Sequence, residues 1–313
     1  MRFNPKARLD RSRVKDTGRG SGGGFPGGSS RRIPIPGGAA GGGIGGILIV
    51  VLILVLSTCL SDGGGGGVPG AGGYNTSRLG DSQDTGRYDR CETGEDANES
   101  QDCARVAVEN SLTDFWEGEL GGRFRAEQQL VTFTGQVDTQ CGAASSAVGP
   151  FYCPADESIY LDTDFFDEVL ERQLGGPDGG FVEFYVLAHE YGHHISNLLG
   201  YFGRVRTQEG PQSDAVRLEL QADCYAGMWA HHATGTEDAQ GEVLILDLTE
   251  EDVDLALAAA EAVGDDRIQQ KTQDQVTEET WTHGSAEMRK KWFAIGYQQG
   301  DLEACDTFEA DDL

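Results

Sequence analysis

The stretch Val186-Leu187-Ala188-His189-Glu190-Tyr191-Gly192-His193-His194 decides how the chain is read. It continues an apolar run that begins at Phe181, lacks proline and stops at Gly200, so a helix is predicted over 181–199. A separation of four puts His189 and His193 on one face, a turn apart, where both imidazoles can bind one zinc ion. Glu190 stands beside them as the general base of an HExxH site. Two solvated surface histidines are a poor alternative, because the preceding residues Phe184, Tyr185, Leu187 and Ala188 are core-like. His194 points elsewhere on the helix and is given no role.

A third ligand must come from further along. The extended form HExxHxxGxxH needs Gly and His where this chain has Ser196 and Leu199, so that arrangement is excluded. Glu219-Leu220-Gln221-Ala222-Asp223 opens a second helical pattern with Glu219 and Asp223 at i and i+4, while Val216, Leu220, Tyr225 and Met228 are apolar. Glu219 then completes a His2Glu set for one Zn2+ per chain. Asp223 accepts the outer N–H of a ligand histidine and fixes its tautomer.

Outward from these two helices, periodicity predicts further helices over 100–119, 212–232, 249–263 and 284–299, with a helix capped by Asp164 and running to Leu174. Short β-branched pieces lie at Gln129–Gly135 and in two parts of Val148–Asp162. Helix, short strands, then mostly helices is an α+β order.

Net charge is −28, which makes phosphate-backbone binding unfavourable and nucleic acid an unexpected partner. The charge is uneven. Residues 1–43 hold nine Lys/Arg and two Asp, net +7, leaving −35 on the rest, an acidity that would suit a domain kept soluble in high salt. Ile44–Leu60 is uncharged and includes ten consecutive branched aliphatics, Ile47 to Leu56; as a helix its length is about 25 Å, enough to cross a bilayer. Four segments are expected: a disordered basic cytoplasmic tail over 1–43, a transmembrane helix over 44–60, a Gly-rich linker over 61–88, and an extracytoplasmic domain over 89–313. The six cysteines of that domain form an even set. Several connectivities are open, and the spacing favours Cys91 with Cys103 and Cys141 with Cys153, leaving Cys224 with Cys305.

Several segments in order resemble the membrane-anchored bacterial neutral zinc metallopeptidases: MRFNPKARLDRSRV at the N-terminus, Ser145 to Asp156 with Ile159 to Asp162, Ala188 to Gly200, Glu219 to Gly227, and Thr282 to Ser285 leading to Arg289–Phe293. The resemblance implies a zincin-like fold with the metal held between two helices. The expected function is hydrolysis of a peptide or protein substrate, with Glu190 as base and His283, ahead of the last helix, as the leading second donor to the developing oxyanion. Tyr191 is the weaker candidate for that donor. The strand Glu157–Asp162 is expected to be the edge that aligns the peptide. The alternative from a different class is a zinc-stabilised binding or assembly module without turnover.

Overall fold

The computed structural model describes residues 1–20, 84–177 and 179–313. The apolar run 44–60, and the linker up to residue 83, lie outside them. Among the described residues no helix is long and apolar enough to cross a membrane.

The fold is mixed α+β. Its four-stranded sheet has the order β2, β3, β7, β6, formed by Val14–Arg19, Leu130–Thr134, Ser158–Asp162 and Phe151–Cys153. The first three run parallel and β6 folds back antiparallel on β7, with Phe151 opposite Tyr160. Alternation along the strands sorts side chains between two cores. Leu130, Tyr152, Ile159 and Leu161 enter the main core. Val131, Phe133, Phe151 and Tyr160 form a smaller cluster with Cys141 and Cys153 on the other face. The ribbon β4–β5 (Gln136–Thr139, Gly142–Ser145) and the pair β1–β8 (Arg2–Phe3, Ile245–Asp247) complete the strands of the described residues.

The helices are α1 (Gly94–Glu99), α2 (Gln101–Leu120), α3 (Gly180–Leu198), α4 (Asp214–His232), α5 (Glu250–Ala262), α6 (Asp265–Gln273) and α7 (Ala286–Gln299). Residues 181–196 of α3 are all buried, and α4 is buried from Leu218 to Ala230, so these two helices form the centre of the molecule. Helix α7 lies so close to α4 that a Cβ on Gly296 would sit 1.9 Å from the Cys224 carbonyl oxygen, and one on Gly227 2.1 Å from that of Phe293. Only glycine allows that approach. The predicted helix over Asp164–Leu174 is shorter, a π-type turn at Phe166–Glu171. Disulfides join Cys91 to Cys103, Cys141 to Cys153 and Cys224 to Cys305.

Two expectations are corrected here. The tail expected to be disordered over 1–43 is part of the fold for its first twenty residues. Val14 pairs with Leu130, the N-terminal ammonium lies 2.6 Å from Asp252, and Ala7 and Val14 are buried. The linker ends earlier than residue 88, since Thr85 bonds Asp16 and Tyr88 is buried. Residues 1–20 are therefore built into the same sheet as the strands at 130–134 and 158–162. The second correction concerns the edge strand. With β2 covering β3 and β6 covering β7, the strand expected at the edge is interior, and β6 is the outer strand on its side of the sheet.

Candidate metal centre

The site grows out of the α3–α4 contact. Gly192 lets the helices close: a Cβ there would be 2.9 Å from the Ala222 carbonyl oxygen. At that approach Glu219 of α4 faces the two histidines of α3. Its carboxylate oxygens lie 3.3 Å from His189 Nε2 and 3.5 Å from His193 Nε2. One donor atom from each residue falls within 4.8 Å of the others, and all three residues are buried. Two imidazole nitrogens and one carboxylate oxygen converging in this way fit the ligand set of a catalytic zinc site, which keeps its fourth position open. The residues expected as ligands are thus brought together.

Asp223 sits one turn beyond Glu219. Its Oδ1 accepts the Nδ1–H of His189 at 2.8 Å and the hydroxyl of Tyr185 at 2.6 Å, while Arg289 of α7 donates to both oxygens at 2.7 and 2.9 Å. Burial works against charge on Asp223, but the Arg289 guanidinium and His189 outweigh it and hold its pKa at about 2. The ionised carboxylate holds the His189 Nδ1–H and so turns Nε2 toward Glu219. Burial also disfavours charge on His189. Asp223 and Glu219 outweigh that and push its pKa up to about 9, so a positive charge at this ring is electrostatically favoured. Among the described residues, the buried Nδ1 of His193 has no such partner. Glu219 is held well below the usual carboxylate range, with His193 and His283 overcoming its burial.

Glu190 opens onto a cavity of about 130 Å3, which the two histidines, Glu219, His283 and the β6 segment also line. Burial raises its pKa, as suits a proton acceptor working near neutrality. His283 is fixed from behind: Thr282 Oγ1 is 2.8 Å from its Nδ1, and Asp265 Oδ2 accepts the backbone N–H groups of Thr282, His283 and Gly284. Burial opposes charge on His283, but Glu219 and Asp265 together raise its pKa. Tyr191 turns the other way. Its hydroxyl meets Thr113 of α2 at 3.1 Å, so it cannot serve in the cavity.

Three side chains have roles that the sequence did not suggest. Arg289 and Tyr185 hold Asp223. His194 ties the site to the sheet: its Nε2–H donates to the Arg125 carbonyl at 2.7 Å, and its Nδ1 accepts from the hydroxyl of Tyr152 on β6 at 3.1 Å. Asn197 donates to the same hydroxyl. Burial keeps the His194 ring on the neutral side, as this pattern requires. A histidine placed next to the motif was a signal for such a tether, but its partners come from distant segments. The bridge from Cys224 to Cys305 starts beside Asp223 and anchors the chain after α7 to the ligand helix.

No solved structure matches the chain. Among curated proteins, it is 53% identical over 226 residues to the uncharacterized protein Rv2575 of Mycobacterium tuberculosis (strain H37Rv), covering 72% of this chain and 76% of that one. It is 42% identical over 203 residues to the uncharacterized protein YpfJ of Escherichia coli (strain K12), covering 62% and 67%. A family model described as "Putative neutral zinc metallopeptidase" matches residues 1–308, which includes the N-terminal arm as well as both ligand helices. The chain belongs to that zinc metallopeptidase family.

Proposed function

We propose that the protein hydrolyses peptide bonds at the His189–His193–Glu219 centre, in a zincin-like arrangement of two ligand helices beside a sheet. The observation that carries this reading is the position of Glu190, a carboxylate opening onto the same cavity as three convergent donor atoms. A zinc ion held by these three residues would polarise the substrate carbonyl and lower the pKa of water to about 7. Glu190 takes up the proton of the attacking water and returns it to the departing amine. His283, oriented by Asp265 and Thr282, donates to the oxyanion as it develops. Asp223, fixed by Arg289, keeps His189 in the tautomer whose Nε2 faces the centre.

The apolar run 44–60 supports membrane attachment. Three disulfides support an oxidising, extracytoplasmic setting for the domain, with the paired arm 1–20 on the same side. The test is hydrolysis of peptides by the zinc-loaded chain and its loss on chelation. Zinc binding without cleavage of any peptide would favour a binding module instead.

A further inference from the structure

We propose that the polar cavity between the four-stranded sheet and the β4–β5 ribbon binds a free α-amino acid with a small side chain, its ammonium toward Asp156 and Asp138 and its carboxylate toward Lys15. This site lies on the sheet face turned away from the metal helices and does not rest on the reaction proposed there. Strand register builds its floor. Lys15 of β2 pairs with Val131 of β3, and Val131 with Tyr160 of β7, so the three side chains form one row across the face that carries the smaller core cluster. Neighbouring strands stand about 4.8 Å apart, which sets the two ends of the row about 10 Å from each other. A cavity of about 120 Å3 opens over this row and is lined also by Val137 and Asp138 of the ribbon and by Asp156. The disulfide from Cys141 to Cys153 fastens the turn of the ribbon to β6, so the walls are formed before any ligand arrives.

The charged groups here are not spent on one another. Lys15 and Asp138 both line the cavity, and among the described residues neither enters an ion pair. Asp156 Oδ2 accepts the Gln140 backbone N–H at 3.0 Å and the Tyr160 hydroxyl at 2.9 Å, whereas its Oδ1 is buried and has no partner among the described residues. Burial raises the pKa of Asp156, so this carboxylate is short of positive charge. A ligand ammonium supplies that charge through charge-assisted hydrogen bonds. A simple cation would leave Lys15 unanswered, and a simple anion would face two carboxylates, but a zwitterion meets both ends. Between the ends, Val131, Val137 and the Tyr160 ring form an apolar strip that suits a short aliphatic side chain and leaves a further charge without a partner. The volume sets the size. An apolar cavity of about 150 Å3 holds a benzene ring, so the space here suits a molecule as small as alanine.

The test measures, by calorimetry on the zinc-loaded full chain, the binding of L-alanine, of isopropylamine, which has a methyl group in place of the carboxylate, and of isobutyrate, which has one in place of the ammonium. A charge-assisted contact at each end predicts that L-alanine binds about 10- to 100-fold more tightly than either analogue. Lys15→Met should bring L-alanine down to the level of isopropylamine and leave isopropylamine unchanged. Asp156→Asn should weaken L-alanine and isopropylamine and spare isobutyrate, and Asp138→Asn, at an exposed position, provides a second variant of the ammonium end should the first fail to fold. Binding of L-alanine no tighter than that of its analogues, or no binding of any of the three, would overturn the proposal. Binding of L-alanine that survives Lys15→Met undiminished would overturn it too, and would place the amino acid on the zinc ion instead.

Discussion

Asp223 Oδ1 accepts the Nδ1–H of His189 at 2.8 Å while the guanidinium of Arg289 grips both of its oxygens. One carboxylate therefore orients a ligand and neutralises a buried cation. Asp223→Asn is expected to lower zinc affinity about 10- to 100-fold, because the His189 tautomer is no longer enforced. The same change leaves Arg289 buried beside a neutral amide, so unfolding stability should fall by about 3 to 5 kcal/mol. Zinc competition titrations and urea melts read the two effects separately, and an unaltered zinc affinity would contradict the orienting role.

Glu127 lies fully buried, and its pKa is raised well above 4.5, first by burial and then by neighbouring Glu109, with Arg13 of the N-terminal arm opposing the rise. Because the folded state holds this proton longer than the unfolded chain does, stability from this group is greatest below the unfolded pKa of 4.5 and declines as pH rises above it. Glu127→Gln removes the dependence. Relative to that variant, the parent should lose up to about 1.4 kcal/mol per pH unit above this value until the folded pKa is reached. Denaturant midpoints of the two proteins from pH 4 to 8 check this, and parallel curves would contradict it.

The Cys224–Cys305 bridge closes a separation of 81 residues that includes α5, α6 and α7. Replacing both cysteines by alanine should cost about 2 to 5 kcal/mol of stability. Loss of the bridge also frees the chain end that anchors α7, so zinc affinity should fall with stability. A variant as stable as the parent would show that α7 is held by packing alone.

The N-terminal arm supplies a parallel strand, buried Val14 and the Arg13 pair to Glu109. Deleting residues 1–20 exposes the β3 edge and leaves Glu109 and Glu127 without that cation. The shortened chain is expected to aggregate or to melt well below the parent in a thermal scan. Unchanged melting would mean that the arm is only an accessory.

The ligand set was legible because its spacing is local: His189 and His193 share one helix face, and Glu219 and Asp223 another. Helices α2, α3, α4, α5 and α7 were legible for the same reason, through apolar residues at helical intervals. Strand β2 was not. Its sequence VKDTGR buries a carboxylate, Asp16, which is satisfied by the hydroxyls of Thr85 at 2.6 Å and Thr132 at 2.7 Å, and no periodicity announces partners so far apart in sequence. Strand β6 was legible as one of the two strand pieces expected within Val148–Asp162, although its three residues between Pro150 and Pro154 are too few to show alternation. The role of Arg289 depends on α7 crossing α4 where Gly227 and Gly296 permit contact, a long-range fact that residue pattern alone does not contain.

The central claim is that Glu190 moves a proton during peptide hydrolysis. Its most direct test compares the zinc-loaded full chain with its Glu190→Gln variant on a diverse peptide pool, with zinc content measured in both. The account predicts equal zinc and a loss of cleavage by a factor of about 100 to 10,000 in the variant. Equal cleavage by the two proteins would contradict it.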